Sequence, residues 1–159
     1  MATITAALNV NSDISSYGLA ISNIMTMTKA GTNNGLERTS GLQRKYLTTL
    51  NEVDLLQGAA GTVADMTVSV TSSAAKVYIK YLEADTSKFI TISFGNAAAG
   101  TTRTANDSNG AHMELGRLYG DEWMIIPWDG TSAKGDIAVQ PSVATTADEA
   151  IVEYIVFFD

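Results

Sequence analysis

The chain has no cysteine and a single histidine, His112. The first absence removes disulfide frameworks and thiolate metal sites. The second removes His-rich zinc centres and would make any Ser-His-Asp hydrolase depend wholly on His112, with no Gly-x-Ser-x-Gly elbow to supply its nucleophile. Charge is also scarce: 17% of the 159 residues are Asp, Glu, Lys or Arg, and the net charge is −7. With only ten basic residues, scattered along the chain, phosphate neutralisation has no basic surface to use, so neither DNA nor RNA is an expected partner. No apolar run approaches the roughly 20 residues of a membrane helix, so no membrane partner is expected. Met1–Thr5 lack the basic start and apolar block of a signal peptide.

What is abundant is threonine, with 19 copies against six lysines and four arginines. Threonine is β-branched, which suits a pleated strand and is disfavoured in a helix. Thirteen glycines supply many turns, while only two prolines interrupt the chain. Hydrophobic residues at 45% leave ample material for a core.

Period-two alternation recurs along the chain. Ile4, Ala6, Leu8 and Val10 form one set. Leu19, Ile21, Met25 and Met27 form a second, broken at Asn23-Ile24, where a bulge or an exposed arm is expected. Residues 29–41 are polar, with Asn33-Asn34-Gly35 as a turn signal, and read as a hinge. Residues 42–57 carry helical spacing in Leu42, Tyr46, Leu50 and Val53. Against it, Thr48-Thr49 and the alternation from Glu52 to Leu55 favour strands. Gly58–Gly61 reads as a loop. Further strands are expected around Met66–Val70, Val77–Tyr81, Phe89–Phe94, Met113–Arg117 and Trp123–Trp128, and again over Ile137–Val143. The last of these should lie at a sheet edge or stop at Pro141, which has no ladder donor. The segment from Ala150 to Phe158 is apolar on both faces, with Glu153 the exception, and should sit centrally or beneath a partner. Gly95–Gly110 reads as a long polar connection.

The expected fold is all-β: an antiparallel β-sandwich or jelly-roll-like domain over residues 42–159, with an extended N-terminal arm and hinge over residues 1–41. Few residues invite chemistry. Asp121 with Glu122, and Asp129 with Asp136, are explained as turn and strand-edge acids. Asn106–Gly110 lacks the bidentate glutamate that completes a calcium loop. Trp123 and Trp128 are five residues apart, so a strand turns them to opposite faces and a shared sugar-stacking platform is disfavoured. No catalytic, cofactor-binding or metal-ligating residue is expected.

The stretches Gly116–Trp123, Ile126-Pro127-Trp128, Asp136–Val139 and Val152-Glu153-Tyr154 resemble small virion proteins of tailed bacteriophages. Leu42–Thr49, Glu52–Leu55, Val77–Lys80 and Phe89–Phe94 share the likeness, which spans roughly residues 42–159. The resemblance is one of strand order and turn residues. It implies a structural role without turnover. The expected function is a capsid decoration (cement) protein located in the virion and assembled in the host cytoplasm. Its expected partners are copies of itself, as a homotrimer, and the major capsid protein. A tail, fibre or adaptor component and a carbohydrate-binding module are the alternatives.

Overall fold

A computed structural model describes residues 4–12, 19–28, 35–57, 62–63, 74–95, 113–130, 136–143 and 150–159. Every regular element among them is a strand: β1 (Thr5–Ser12), β2 (Leu19–Thr26), β3 (Arg38–Thr39), β4 (Gln43–Leu47), β5 (Val53–Gln57), β6 (Thr62–Val63), β7 (Ala75–Tyr81), β8 (Phe89–Phe94), β9 (Met113–Tyr119), β10 (Trp123–Trp128), β11 (Ile137–Pro141) and β12 (Ala150–Phe158). The ambiguous segment 42–57 is thus two strands, β4 and β5, joined by a bend. The expected strand at Met66–Val70 lies outside the described residues.

All pairings are antiparallel. One sheet runs β10-β7-β12, with β3 and β4 both on the far side of β12; a second runs β6-β5-β11-β8-β9. Eight of the strands are nested. The first pairs with the last (β4 with β12), the second with the seventh (β5 with β11), the third with the sixth (β7 with β10) and the fourth with the fifth (β8 with β9). The inner faces of the two sheets make a single core. Val77, Ile79 and Tyr81 of β7 and Val152, Tyr154 and Val156 of β12 come from one sheet, and Leu56, Ile90, Ile92, Ile137 and Val139 from the other. The architecture is a β-sandwich.

Local sequence accounts for the details. β10 is an edge strand, which is where Pro127 can sit without leaving a ladder acceptor empty. β11 is internal, and it stops at Pro141. Beyond it, Ser142 N donates to Phe89 O at 2.8 Å and Ser142 Oγ accepts from Phe89 N at 2.9 Å, so the ladder ends satisfied. In β5, Ile137 faces Leu56 while Ala138 faces Asp54, leaving Leu55 as an extra residue. That bulge explains why the neighbours Leu55 and Leu56 are both buried, against strict alternation. A second bulge places Leu115 outside the β8–β9 register. β3 and β4 form one edge broken at Ser40-Gly41-Leu42, where Gly41 has φ +70°. Ser40 keeps the break tied to β12: its N donates to Val156 O and its Oγ accepts from Val156 N, both at 2.9 Å.

Of the two alternatives at Asn23-Ile24, a bulge or an exposed arm, the bulge is absent. β1 and β2 pair without a register shift from Thr5–Thr26 to Ser12–Leu19. Asn23 falls on the apolar face opposite Leu8, and Ile24 on the polar face opposite Ala7. Both are solvent-exposed, so neither forces the backbone to adjust.

Three residues, Gly120 to Glu122, join β9 to β10. Glu122 N donates to Tyr119 O at 3.0 Å, and Asp121 adopts φ 66°, the conformation a type II turn requires at its third position. Gly120 is buried there, and a Cβ on it would stand 2.6 Å from Asp85 O and 2.7 Å from Glu83 O. Both contacts are backbone, so Gly120→Ala must push two chain segments apart. It is expected to destabilise the fold by about 1–3 kcal/mol, read as a lower urea midpoint. Gly41→Asn, in open space and with a residue that tolerates a left-handed conformation, should cost about 1 kcal/mol or less. Equal midpoints for the two variants would contradict the close approach at Gly120.

Candidate interaction surface

The outer face of the β10-β7-β12-β4 sheet is built in cross-strand rows. One row reads Trp123, Lys80, Glu153, Arg44. Its charges alternate and are joined: Lys80 Nζ lies 2.6 Å from Asp121 Oδ1, and Arg44 Nε lies 3.1 Å from Glu153 Oε2. The next row reads Ile125, Tyr78, Ile155, and the one beyond it reads Pro127, Lys76, Phe157. The centre of this face is therefore an apolar floor bordered by charge. Burial pushes the Tyr78 phenol up, and the hydrogen bond that the Lys80 ammonium donates to the Asp121 carboxylate holds it above its ordinary value.

The β1–β2 ribbon lies over this floor. At its base the ladder continues, with Met27 N donating to Ile4 O (3.0 Å) and Leu36 N to Met27 O (2.9 Å), and Met27 and Leu36 are buried. Register sorts the ribbon into two faces. Ala6, Leu8, Val10, Ile21 and Met25 share the apolar one; Thr5, Asn9, Asn11, Ser22 and Thr26 share the polar one, where Ser22 Oγ donates to Asn9 Oδ1 at 2.7 Å. The apolar face turns towards β10 across a cleft of about 470 Å³ lined by Leu8, Met25, Trp123 and Ile125. A second cavity of about 250 Å³ lies nearer the base, between Ile4, Met27, Tyr78, Ile155 and Phe157. The ribbon covers the floor without filling it. Leu8, Ile21 and Met25 stay exposed, as does Trp123 at 48%.

The sequence-level candidates separate accordingly. Trp123 points outward and Trp128 is buried in the core at 3%, the opposite-face arrangement expected from their spacing. They make no common platform. The Trp123 ring instead lies 6.1 Å from Tyr78, tilted by 35°. Asp121 is the turn residue paired with Lys80, and Glu122 Oε2 accepts from Tyr119 N at 2.8 Å; both work as turn acids. Asp136 is buried and its carbonyl accepts from Gly95 N at 2.9 Å, whereas Asp129 is exposed at the end of β10. His112 and Asn106–Gly110 lie outside the described residues. Among the described residues no cluster of three or more His, Asp or Glu is arranged to hold a metal ion. The ribbon's role as a lid on the Tyr78–Phe157 floor was missed from sequence; the double-sided apolarity of residues 150–158 was its trace.

No known protein family, no curated protein and no solved structure matches this chain.

Asp121→Asn keeps a residue suited to the left-handed turn while removing the acceptor's charge. The Lys80 pKa should fall back towards its ordinary 10.5, seen in an NMR titration of its side chain. A raised folded-state pKa contributes stability below the unfolded value, and that contribution is lost as pH rises through the folded one. The wild type should therefore lose its advantage over Asp121→Asn at alkaline pH. An advantage that grew above pH 10 or so would contradict the pairing.

Proposed function

We propose that this chain is a structural protein of a tailed-bacteriophage virion, of the capsid decoration type, which assembles as a homotrimer and bridges neighbouring major capsid subunits. Its action is passive: subunits add contacts across a shell and so oppose outward pressure from packaged DNA. The observation that carries the reading is the pairing of a filled sandwich with an uncharged, half-exposed ribbon. The sandwich supplies rigidity, and the ribbon supplies apolar surface that a lone chain leaves in water. The nesting of β4 with β12, β5 with β11, β7 with β10 and β8 with β9 is read here as a jelly-roll winding, an architecture used by viral capsid and lectin domains. Of those uses, sugar recognition is disfavoured, because the two tryptophans are divided between core and surface.

The test is copy number in purified particles, joined to thermal rupture of particles with and without the protein. Hundreds of copies per particle, and rupture at lower temperature when the protein is missing, are expected. A few to a few dozen copies would place it in a tail, fibre or adaptor instead. Absence from particles, or equal rupture temperatures, would sink the decoration role.

A further inference from the structure

The ribbon meets the floor with small and polar side chains set between large apolar ones. On the face turned towards β10, Ile4 and Met27 at the base are large, and so are Leu8 and Met25 further along, whereas Ala6 is small and Asn23 is polar. The gap beneath follows from that pattern. Ala6, Trp123 and Ile125 border both the cleft of about 470 Å³ and the cavity of about 250 Å³, so the two spaces adjoin. Close-packed interiors hold few voids larger than a water molecule, whereas small-molecule sites run from about 300 to 1,000 Å³. The cleft belongs to the second class by size. Both its walls, the β1–β2 ribbon and β10, come from one chain, so an occupant has only to fill the space between them.

We infer that this cleft binds a neutral, apolar small molecule carrying one hydrogen-bonding group for the Asn23 amide. Among the described residues that line it, none is charged. Lys80, the cross-strand neighbour of Trp123, is committed to Asp121 at 2.6 Å, and the chain's net charge of −7 opposes an anion, so a carboxylate is not the expected guest. Trp123 offers an exposed ring for an apolar guest to lie against. Met25, Met27 and Met124 are flexible thioethers that can reshape around one. Asn23 supplies both a donor and an acceptor in otherwise apolar surroundings. Its inversion with Ile24, which places the amide on the cleft side and the isoleucine on the other, gives the cleft this polar contact. The inference stands apart from the virion role and does not depend on it.

Fluorescence titration of the full-length protein with N-phenyl-1-naphthylamine tests this, because that probe is neutral, apolar and carries one N–H. Saturable binding of one probe per chain is expected. An anionic relative of the probe, 8-anilinonaphthalene-1-sulfonate, should bind at least about tenfold more weakly, since its charge finds no partner in the cleft. Ala6→Leu, which fills the gap with apolar volume, should weaken binding of the neutral probe at least about tenfold without lowering the unfolding temperature. Asn23→Leu should weaken it about threefold to tenfold, the worth of one hydrogen bond. Ile24→Asn, which removes exposed apolar surface from the opposite face of the ribbon, should leave it unchanged. NMR on the wild type needs no variant: the probe should shift the Met25 and Met124 methyls and the Trp123 indole N–H, and leave the methyl of Met113, on β9, in place. Absence of saturable binding, equal or tighter binding of the sulfonate, unchanged affinity in Ala6→Leu, lost affinity in Ile24→Asn, or shifts at Met113 as large as those at Met25 each overturns the inference. Unchanged affinity in Asn23→Leu overturns the part given to the amide.

Discussion

The position of β12 between β7 on one side and β3 with β4 on the other is the constraint on which the structure depends. This last strand closes the sheet that the first sandwich strand opens, so the outermost of the four nested pairs forms only when both ends of residues 43–158 are in place. Its two faces do different work. Val152, Tyr154, Val156 and Phe158 enter the core, where each buried aromatic or aliphatic side chain contributes about 1.5–3 kcal/mol. Ile155 and Phe157 face outward and would be a solvated apolar strip without the ribbon above them. One strand thus sets both the interior of the sandwich and the floor on which the N-terminal ribbon rests. Such non-local pairing carries a loop-closure cost in folding, which burial of the strand's apolar residues offsets.

Strand identity was legible where alternation meets a one-sided core. In β7, Ala75, Val77, Ile79 and Tyr81 are all buried and the residues between them are not, so period two alone fixes the face. Parity likewise separated Trp123 from Trp128. Residues 42–57 carried both helical and strand spacing; the pair Thr48-Thr49, read as favouring a strand, opposes a helix but lies in the bend between β4 and β5 and in neither strand. Alternation fails where a partner strand imposes its own geometry. Burial of both Leu55 and Leu56 comes from the bulge against β11, a strand some eighty positions later, and nothing local to β5 signals it. Ser93 and Ala138 are a registered pair that is buried although flanking residues also point to the core, which again depends on the sheet rather than on either segment.

The ribbon shows the converse case. Asn23 and Ile24 look like a fault in a strand pattern, and in a buried strand they would be one, since an inverted pair would put an amide into the core and an isoleucine into water. In the ribbon each face is at least partly solvated, so the inversion carries little penalty and the register passes through it intact. The sequence anomaly therefore reported exposure, not backbone irregularity. What sequence reading could not supply is that the exposed ribbon lies over a sheet whose outer floor is itself apolar, because that requires knowing that Tyr78, Ile125 and Ile155 form one row.

Edge protection gives the arrangement its functional sense. A sandwich with four nested pairs has several free edges, and each unguarded one is a template for unwanted association. Proline, basic side chains, a bulge and a short terminal strand are distributed over β10, β3–β4, β9 and β6, and each hinders strand addition where it lies. β1 and β2, by contrast, carry neither charge nor proline. On the outer face, the charged row of Lys80, Glu153 and Arg44 borders the apolar floor, with Lys80 paired to Asp121 and Arg44 to Glu153. Guarded edges on the sandwich and bare, uncharged edges on the ribbon thus divide the described strand edges into two kinds.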